Sequence, residues 1–255
     1  MPPNIPNALS VHKAFTKAGP NQLLFPSFYA FPDSPRLTIV ITPKPHTLLL
    51  VPTNLELARL ADHGGFPPEL ARVEICGFGP IAAAARTAAL VTALRPRHVV
   101  LIGIAGAYDT SAYEIGSALS FGSVAVDGIG AGEGDAFLGP RKLGFPQWPG
   151  SPETTGAVHE ELELAAAGPL LLTTPSASGS AKEAARRTSR FPSAAAEDME
   201  GFAVAMACSL ANTPLRIVRG ISNEVGVRNP AEWRIPAALG EARRVVMSLL
   251  LELAK

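Results

Sequence analysis

The run Phe202-Ala203-Val204-Ala205-Met206-Ala207-Cys208 constrains this chain more than any other segment. It reads as a helix with no polar face, and a helix apolar on all sides has to be buried on most of them. The chain enters it through an acidic turn, Glu197-Asp198-Met199-Glu200-Gly201. It leaves for Pro214-Leu215-Arg216-Ile217-Val218-Arg219-Gly220-Ile221-Ser222-Asn223, a buried-type strand interrupted by Arg219 and closed by Ser222-Asn223. A carboxylate at the first turn of a buried helix is costly to desolvate unless something pairs with it. The helix N-terminus favours negative charge there by roughly 0.3–1 kcal/mol. Glu200 is therefore expected to be ionised, acceptor-only, and able to take two hydrogen bonds from one rigid partner, such as the vicinal hydroxyls of a ribose. The plainer alternative makes Asp198 an N-cap and Glu200 a complement to the helix dipole. The polar end of the following strand favours a site, because ligands of open α/β sheets bind at the carboxyl ends of the strands.

The rest of the chain alternates between strand and helix patterns. Strands are expected over Thr47–Val51, Arg72–Cys76, His98–Ile104, Leu170–Thr174 and Ala194–Glu197, with an extended stretch over Ala118–Val126 weakened by Gly122. Helices are expected over Asn54–Asp62, Pro80–Leu94, Ala181–Thr188 and, with Pro236 restricting its first half, Ala231–Ala254. Gly128–Gly156, rich in Gly and Pro, reads as a long loop over one face. Such alternation argues for an α/β sheet covered on both sides. Residues 1–45 differ: they hold 9 of the 24 prolines and a single acidic residue, Asp33, with no sustained period. They are expected to form a poorly ordered extension ahead of one catalytic domain, 46–255.

Composition excludes several function classes. Lys+Arg and Asp+Glu both number 22, so charge gives no case for nucleic acid or an acidic membrane surface. No apolar run reaches the ~18–20 residues of a membrane span. Cys76 and Cys208 lie in apolar surroundings and read as reduced, buried thiols of a cytoplasmic protein. The five histidines are isolated, and no His or Cys pair has metal-ligand spacing. Neither a metal nor a cofactor is expected.

Met199-Glu200 before a small-residue helix, followed by Arg219-Gly220-Ile221-Ser222-Asn223, resembles the C-terminal signature of the nucleoside phosphorylase and nucleosidase superfamily. Further pieces agree in order: Pro52-Thr53 with Glu56, Gly77-Phe78-Gly79-Pro80, Gly103 through Tyr108, Asp127-Gly128 through Phe137, and Trp233-x-Ile235 with Ala238-Leu239. Linked motifs in order are more specific than any one of them. The resemblance covers about residues 47–240 and is greatest to the branch that hydrolyses futalosine in an alternative menaquinone pathway. It implies a three-layer αβα sandwich with a central mixed sheet, a small-molecule nucleoside substrate, no cofactor, and a homo-oligomer. It implies that Asn223 meets the purine and stabilises the departing base, and that Glu200 holds the ribose beside Met199. Glu56 and Arg219 would position and activate the attacking water. Ala105 and Gly106 would bring backbone close to the ligand, with Ser222 beside them. The residue type at 223 bears on the base: an amide can donate to O6 or N7 of a 6-oxopurine, whereas a carboxylate suits a 6-amino group. Asn223 thus favours a hypoxanthine-type base over an adenosyl substrate such as methylthioadenosine. Methylthioadenosine/adenosylhomocysteine nucleosidase and purine nucleoside phosphorylase are the alternatives within the superfamily.

One reading belongs to another class. Gly77-Phe78-Gly79-Pro80-Ile81-Ala82 follows a strand and opens a helix, imitating the Gly-x-Gly-x-x-Ala fingerprint of a nicotinamide-dependent Rossmann oxidoreductase. No Asp or Glu stands about 20 residues on, where the chain reads Arg95-Pro96-Arg97-His98, and a tight turn for close helix packing explains the glycines as well. The Gly128–Gly134 run lacks both a following helix and a Lys-Ser or Lys-Thr pair, so it is not a nucleotide-phosphate loop.

Overall fold

β3 (His98–Ala107) runs through the middle of the sheet, and its Val99–Ile102 stretch is buried without alternation, as in a strand covered on both faces. The computed structural model describes residues 46–152 and 156–255; the expected extension, 1–45, lies outside the described residues. Along its first half β3 pairs in parallel with β1 (Thr47–Val51), which pairs in parallel with β2 (Arg72–Ile75). At Gly106 and Ala107 it pairs instead with β8 (Ala194–Asp198), antiparallel. Parallel β7 (Leu170–Thr173) and β5 (Ser123–Val126) follow, then antiparallel β6 (Glu161–Glu163). β9 (Leu215–Glu224) lies parallel to β3 along most of its length, and antiparallel β4 (Ala118–Ser120) flanks it. The described residues thus form a nine-stranded mixed sheet.

Alternate side chains of the central strands enter two cores. Leu48, Leu50, Val99 and Leu101 pack with Phe202 and Val204 on the side of α2 (Gly79–Leu94) and α5 (Gly201–Leu210). Leu49, Val51, Val100 and Ile102 pack with Leu60, Leu239 and Val246 on the side of α1 (Asn54–Asp62) and α6 (Ile235–Leu253). The result is the expected αβα sandwich. α5, the helix without a polar face, is buried from Gly201 through Ala205 and again at Ala207 and Cys208. A short α3 (Pro140–Leu143) interrupts the expected loop, and α4 (Ala181–Arg190) ends at the Leu170, Leu172 and Ala194 cluster through Phe191.

Several boundaries differ from expectation: β3 runs past the expected end at Ile104 to Ala107, so Ala105 and Gly106 lie in the strand and not in a turn after it. The extended stretch over 118–126 breaks at Phe121-Gly122 into β4 and β5, which join different parts of the sheet. A Cβ on Gly122 would come within 2.6 Å of the Gly168 backbone, so a strand residue with a side chain does not fit there. The C-terminal helix begins at Ile235 after a 3-10 turn, Pro230–Glu232. Pro236 therefore sits in its first turn, where a missing N–H costs nothing. β6 is short and partly exposed, and the alternation in Glu161-Leu162-Glu163 is too brief to announce it.

Candidate active site

A cavity of about 320 Å³ opens where β3, β8 and β9 end, within the usual size of a small-ligand site. Arg219 on β9 lies beneath it, fully buried and in register with Gly103 of β3. Its Nε is 3.1 Å from Asp198 Oδ2 and its Nη2 is 3.3 Å from Glu200 Oε2. Burial alone would lower the guanidinium pKa, but the carboxylates of Asp198, Glu200 and Glu56 outweigh it and hold the group protonated. Gly103 leaves the space this packing requires. A Cβ there would run into Arg219 Nη1 and lie 2.7 Å from Glu56 Oε1. Nη1 itself is buried and makes no hydrogen bond among the described residues.

Local sequence fixes each carboxylate. Thr53 caps α1: its Oγ1 accepts the Glu56 N–H at 3.2 Å and donates to Glu56 Oε2 at 2.6 Å. Glu56 Oε1 accepts the Ile104 N–H of β3 at 3.0 Å. Asp198 accepts from Thr173 Oγ1 at 2.6 Å and from the Gly201 N–H at 2.8 Å, so it caps the entry to α5 while pairing with Arg219. Glu200 makes no cap of its own helix. It reaches instead to the start of α2, where Oε1 accepts the Gly79 N–H at 2.9 Å. Burial pushes its carboxyl up to about 7 against the opposing pull of Arg219. The expectation of a fully ionised Glu200 is corrected accordingly: the helix-terminus argument omits the larger effect of burial.

At the end of β9 the register with β3 slips, with Ala105 opposite Ile221 and Gly106 opposite Asn223. This bulge absorbs Ser222, whose Oγ donates to Asn223 Oδ1 at 2.7 Å. Asn223 Nδ2 donates to the Glu224 carbonyl at 2.8 Å and keeps one N–H over. The cavity is lined by Glu56, Ala105, Gly106, Met199, Glu200, Ser222 and Asn223 among the residues expected, whereas Arg219 lies behind Glu200 and does not line it. Glu197, Asp198 and Ser178 also line it, although Asp198 was expected only as a helix cap and Glu197 and Ser178 were given no role. Where a stacking aromatic would serve a base, the 177–178 stretch offers only Ala177 and Ser178. The cavity's aromatic side chains are Phe78, which is 67% exposed, and Trp233, over which the Arg228 guanidinium sits at 5.0 Å.

The rival readings fare differently. The Gly79 amide that a dinucleotide pyrophosphate would use is bound to Glu200, and the mixed sheet is not a Rossmann sheet. Cys76 and Cys208 are free, and burial pushes both thiols up to about 12, which leaves them protonated and inert. Among the described residues no group of three His, Cys, Asp or Glu side chains is arranged to hold a metal ion.

Comparison with known proteins agrees with this architecture. The chain is 38% identical over 169 residues to a futalosine hydrolase of Streptomyces coelicolor, covering 64% of this chain and 71% of that one. It is 33% identical over 182 residues to a futalosine hydrolase of Thermus thermophilus, covering 69% and 79%. Two solved structures share the fold. Futalosine hydrolase of Helicobacter pylori superposes with a TM-score of 0.63 at 15% identity, covering 81% of this chain and 97% of that one. A 5'-methylthioadenosine/S-adenosylhomocysteine nucleosidase of Colwellia psychrerythraea, in complex with adenine, gives 0.62 at 22%, covering 81% and 95%. The family model of the phosphorylase superfamily matches residues 60–255, and with most of its length so matched the chain belongs to the phosphorylase superfamily.

Proposed function

We propose that this chain hydrolyses the N-glycosidic bond of futalosine, releasing hypoxanthine and dehypoxanthine futalosine in menaquinone biosynthesis. One observation carries the reading: Glu56 Oε1 and the unspent Nη1 of Arg219 both border the space over Gly103, beside a cavity that also holds Glu200 and Asn223. Similarity to the two futalosine hydrolases supports it.

Cleaving a ribose–purine bond places positive charge on the sugar and negative charge on the base, through an oxocarbenium-like transition state. Rate comes from binding that charge distribution better than the ground state. Water attacks C1', its proton passes to Glu56, and the C1'–N9 electron pair leaves with the base, which takes up a proton from solvent. Arg219 orients Glu200 and Asp198 and directs Nη1 toward Glu56. Glu200 accepts from the ribose hydroxyls, and the free N–H of Asn223 donates to the purine as charge develops on it, a kind of contact worth several kcal/mol.

The surroundings favour water over phosphate as nucleophile. Arg86, a cation that an anion site would recruit, is 3.2 Å from Glu74, and the Gly79 amide holds Glu200. Both groups are already matched to carboxylates, which repel an anion. The Asn223 donor disfavours the methylthioadenosine alternative, whose 6-amino group is itself a donor. A homo-oligomer and a cytoplasmic location belong to the same reading; among the described residues no helix is long and apolar enough to cross a membrane. Incubation with futalosine, inosine and methylthioadenosine tests it. Futalosine should be the preferred substrate, and preference for methylthioadenosine would overturn the assignment.

A further inference from the structure

Glu56 is the third residue of α1, three positions after the cap Thr53. A carboxylate at that position ordinarily turns back to the backbone N–H of the cap and serves only the helix. The Glu56 carboxylate is engaged differently. Oε2 accepts from Thr53 Oγ1 at 2.6 Å, and Oε1 accepts from the Ile104 N–H of β3, 48 residues along the chain, at 3.0 Å. One oxygen is thus anchored to the helix cap and the other to the sheet. Each carboxylate oxygen has two lone pairs, so each keeps one acceptor position.

The strands bring the two anchors level. Leu50 of β1 is in register with Leu101 of β3, and three residues beyond that pair the chains reach Thr53 and Ile104. Thr53 is extended there, with φ −133° and ψ 156°, and lines the cavity together with Glu56. Its hydroxyl works in both directions: Oγ1 accepts the Glu56 N–H at 3.2 Å and gives its one proton to Oε2. Nothing in the side chain of a glutamate fixes the plane of its carboxylate, because its last torsion is broad and roughly two-fold. Two anchors on two oxygens fix it; one would leave it free to turn.

We propose that Thr53 is a positioning residue for the hydrolysis: its hydroxyl, with the Ile104 amide, sets the plane of the Glu56 carboxylate so that a free lone pair faces the attacking water. This deepens the reading above and rests on it for Glu56 as the base.

Kinetics and melting temperature separate this role from capping. Glycine is nearly as good an N-cap as threonine and valine is a poor one, yet neither has a hydroxyl. On the best substrate among futalosine, inosine and methylthioadenosine, Thr53→Gly and Thr53→Val should lose kcat alike. The loss should be about 10–100-fold, with KM held within about threefold. Only Thr53→Val should lower the melting temperature appreciably, by about 2–4 °C. Thr53→Ser, which keeps the hydroxyl, should restore kcat to within about threefold of wild type. Added to Glu56→Gln, Thr53→Gly should cost no further kcat, because no base is left to aim. Wild-type kcat in Thr53→Gly, a loss confined to the poorly capped Thr53→Val, a raised KM at constant kcat, or a full further loss on top of Glu56→Gln overturns the proposal. Cleavage of methylthioadenosine alone, with the expected pattern, would sustain this inference and refute the futalosine assignment. Cleavage of futalosine with an indifferent Thr53→Gly would do the reverse, and turnover of none of the three would refute both.

Discussion

Glu200 sits between two opposed influences, burial that favours its neutral form and Arg219 that favours its charge, and the balance sets its carboxyl near 7. A ribose clamp requires the ionised acceptor, so kcat/KM should rise with pH through about 7. Stability should move the other way. A carboxyl raised in the folded state binds its proton more tightly there than in the unfolded chain. Its contribution is therefore most favourable below the unfolded value of about 4.5 and is lost as pH rises to about 7. Glu200→Gln should remove both slopes and lower kcat/KM by about 10–150-fold, the equivalent of one charged hydrogen bond of about 1.5–3 kcal/mol. Unchanged kinetics would return Glu200 to the role of a dipole complement. Asn223→Asp should shift the ratio of kcat/KM for futalosine over its 6-amino analogue by roughly one to two powers of ten toward the amine, from an unpaired-group cost of about 1–3 kcal/mol. Competition between the two substrates measures that ratio. Glu200 and Asn223 were legible in the sequence because a polar residue at the end of an apolar element is conspicuous. Glu197 was not: its partners Ser178, Arg187 and Tyr108 lie 19, 10 and 89 residues away, and no local pattern brings them together. Arg219 was conspicuous as a charge in an apolar strand, yet its place beneath the cavity depends on Gly103 of another strand.

At the scale of elements, α5 carries the acidic turn into position, and its packing holds the site together. Phe202 is 3% exposed in the core shared with α2, and its N–H donates to Thr173 Oγ1, which in turn donates to Asp198. Phe202→Ala keeps that N–H but empties the ring's space, and should cost about 3–5 kcal/mol in urea unfolding. A loss under 1 kcal/mol would mean that the helix does not depend on this contact. The helix was readable because a run without polar residues has one destination, and the central strands were readable from their unbroken apolar runs. The bulge at Ser222 was not. It arises where β9 keeps pace with β3 past Ala105, a matter of register between strands more than 100 residues apart, and it sets Ser222 and Asn223 together at the cavity. β6 escaped because three residues are too few to show a period.

For the whole molecule, the described sheet, helical layers and cavity are made of residues at and after His46, whose carbonyl accepts the Arg97 N–H at 2.8 Å. A chain beginning at Pro45 is therefore expected to fold and to keep its kcat/KM; a large fall in melting temperature would show that the preceding residues pack on the domain. Layer order was legible from the alternation of strands and helices, whereas the antiparallel entry of β8 against β3, which sets Glu197 and Asp198 at the cavity, follows from tertiary packing alone. The central claim is that this sheet and its buried ion cluster deliver water to the ribose–purine bond of futalosine. The initial rate of hypoxanthine release from futalosine, measured with and without added phosphate, tests it most directly. The account predicts release of hypoxanthine with dehypoxanthine futalosine at a rate that phosphate does not change; a requirement for phosphate, with a sugar phosphate as product, or no release of hypoxanthine at all would contradict it.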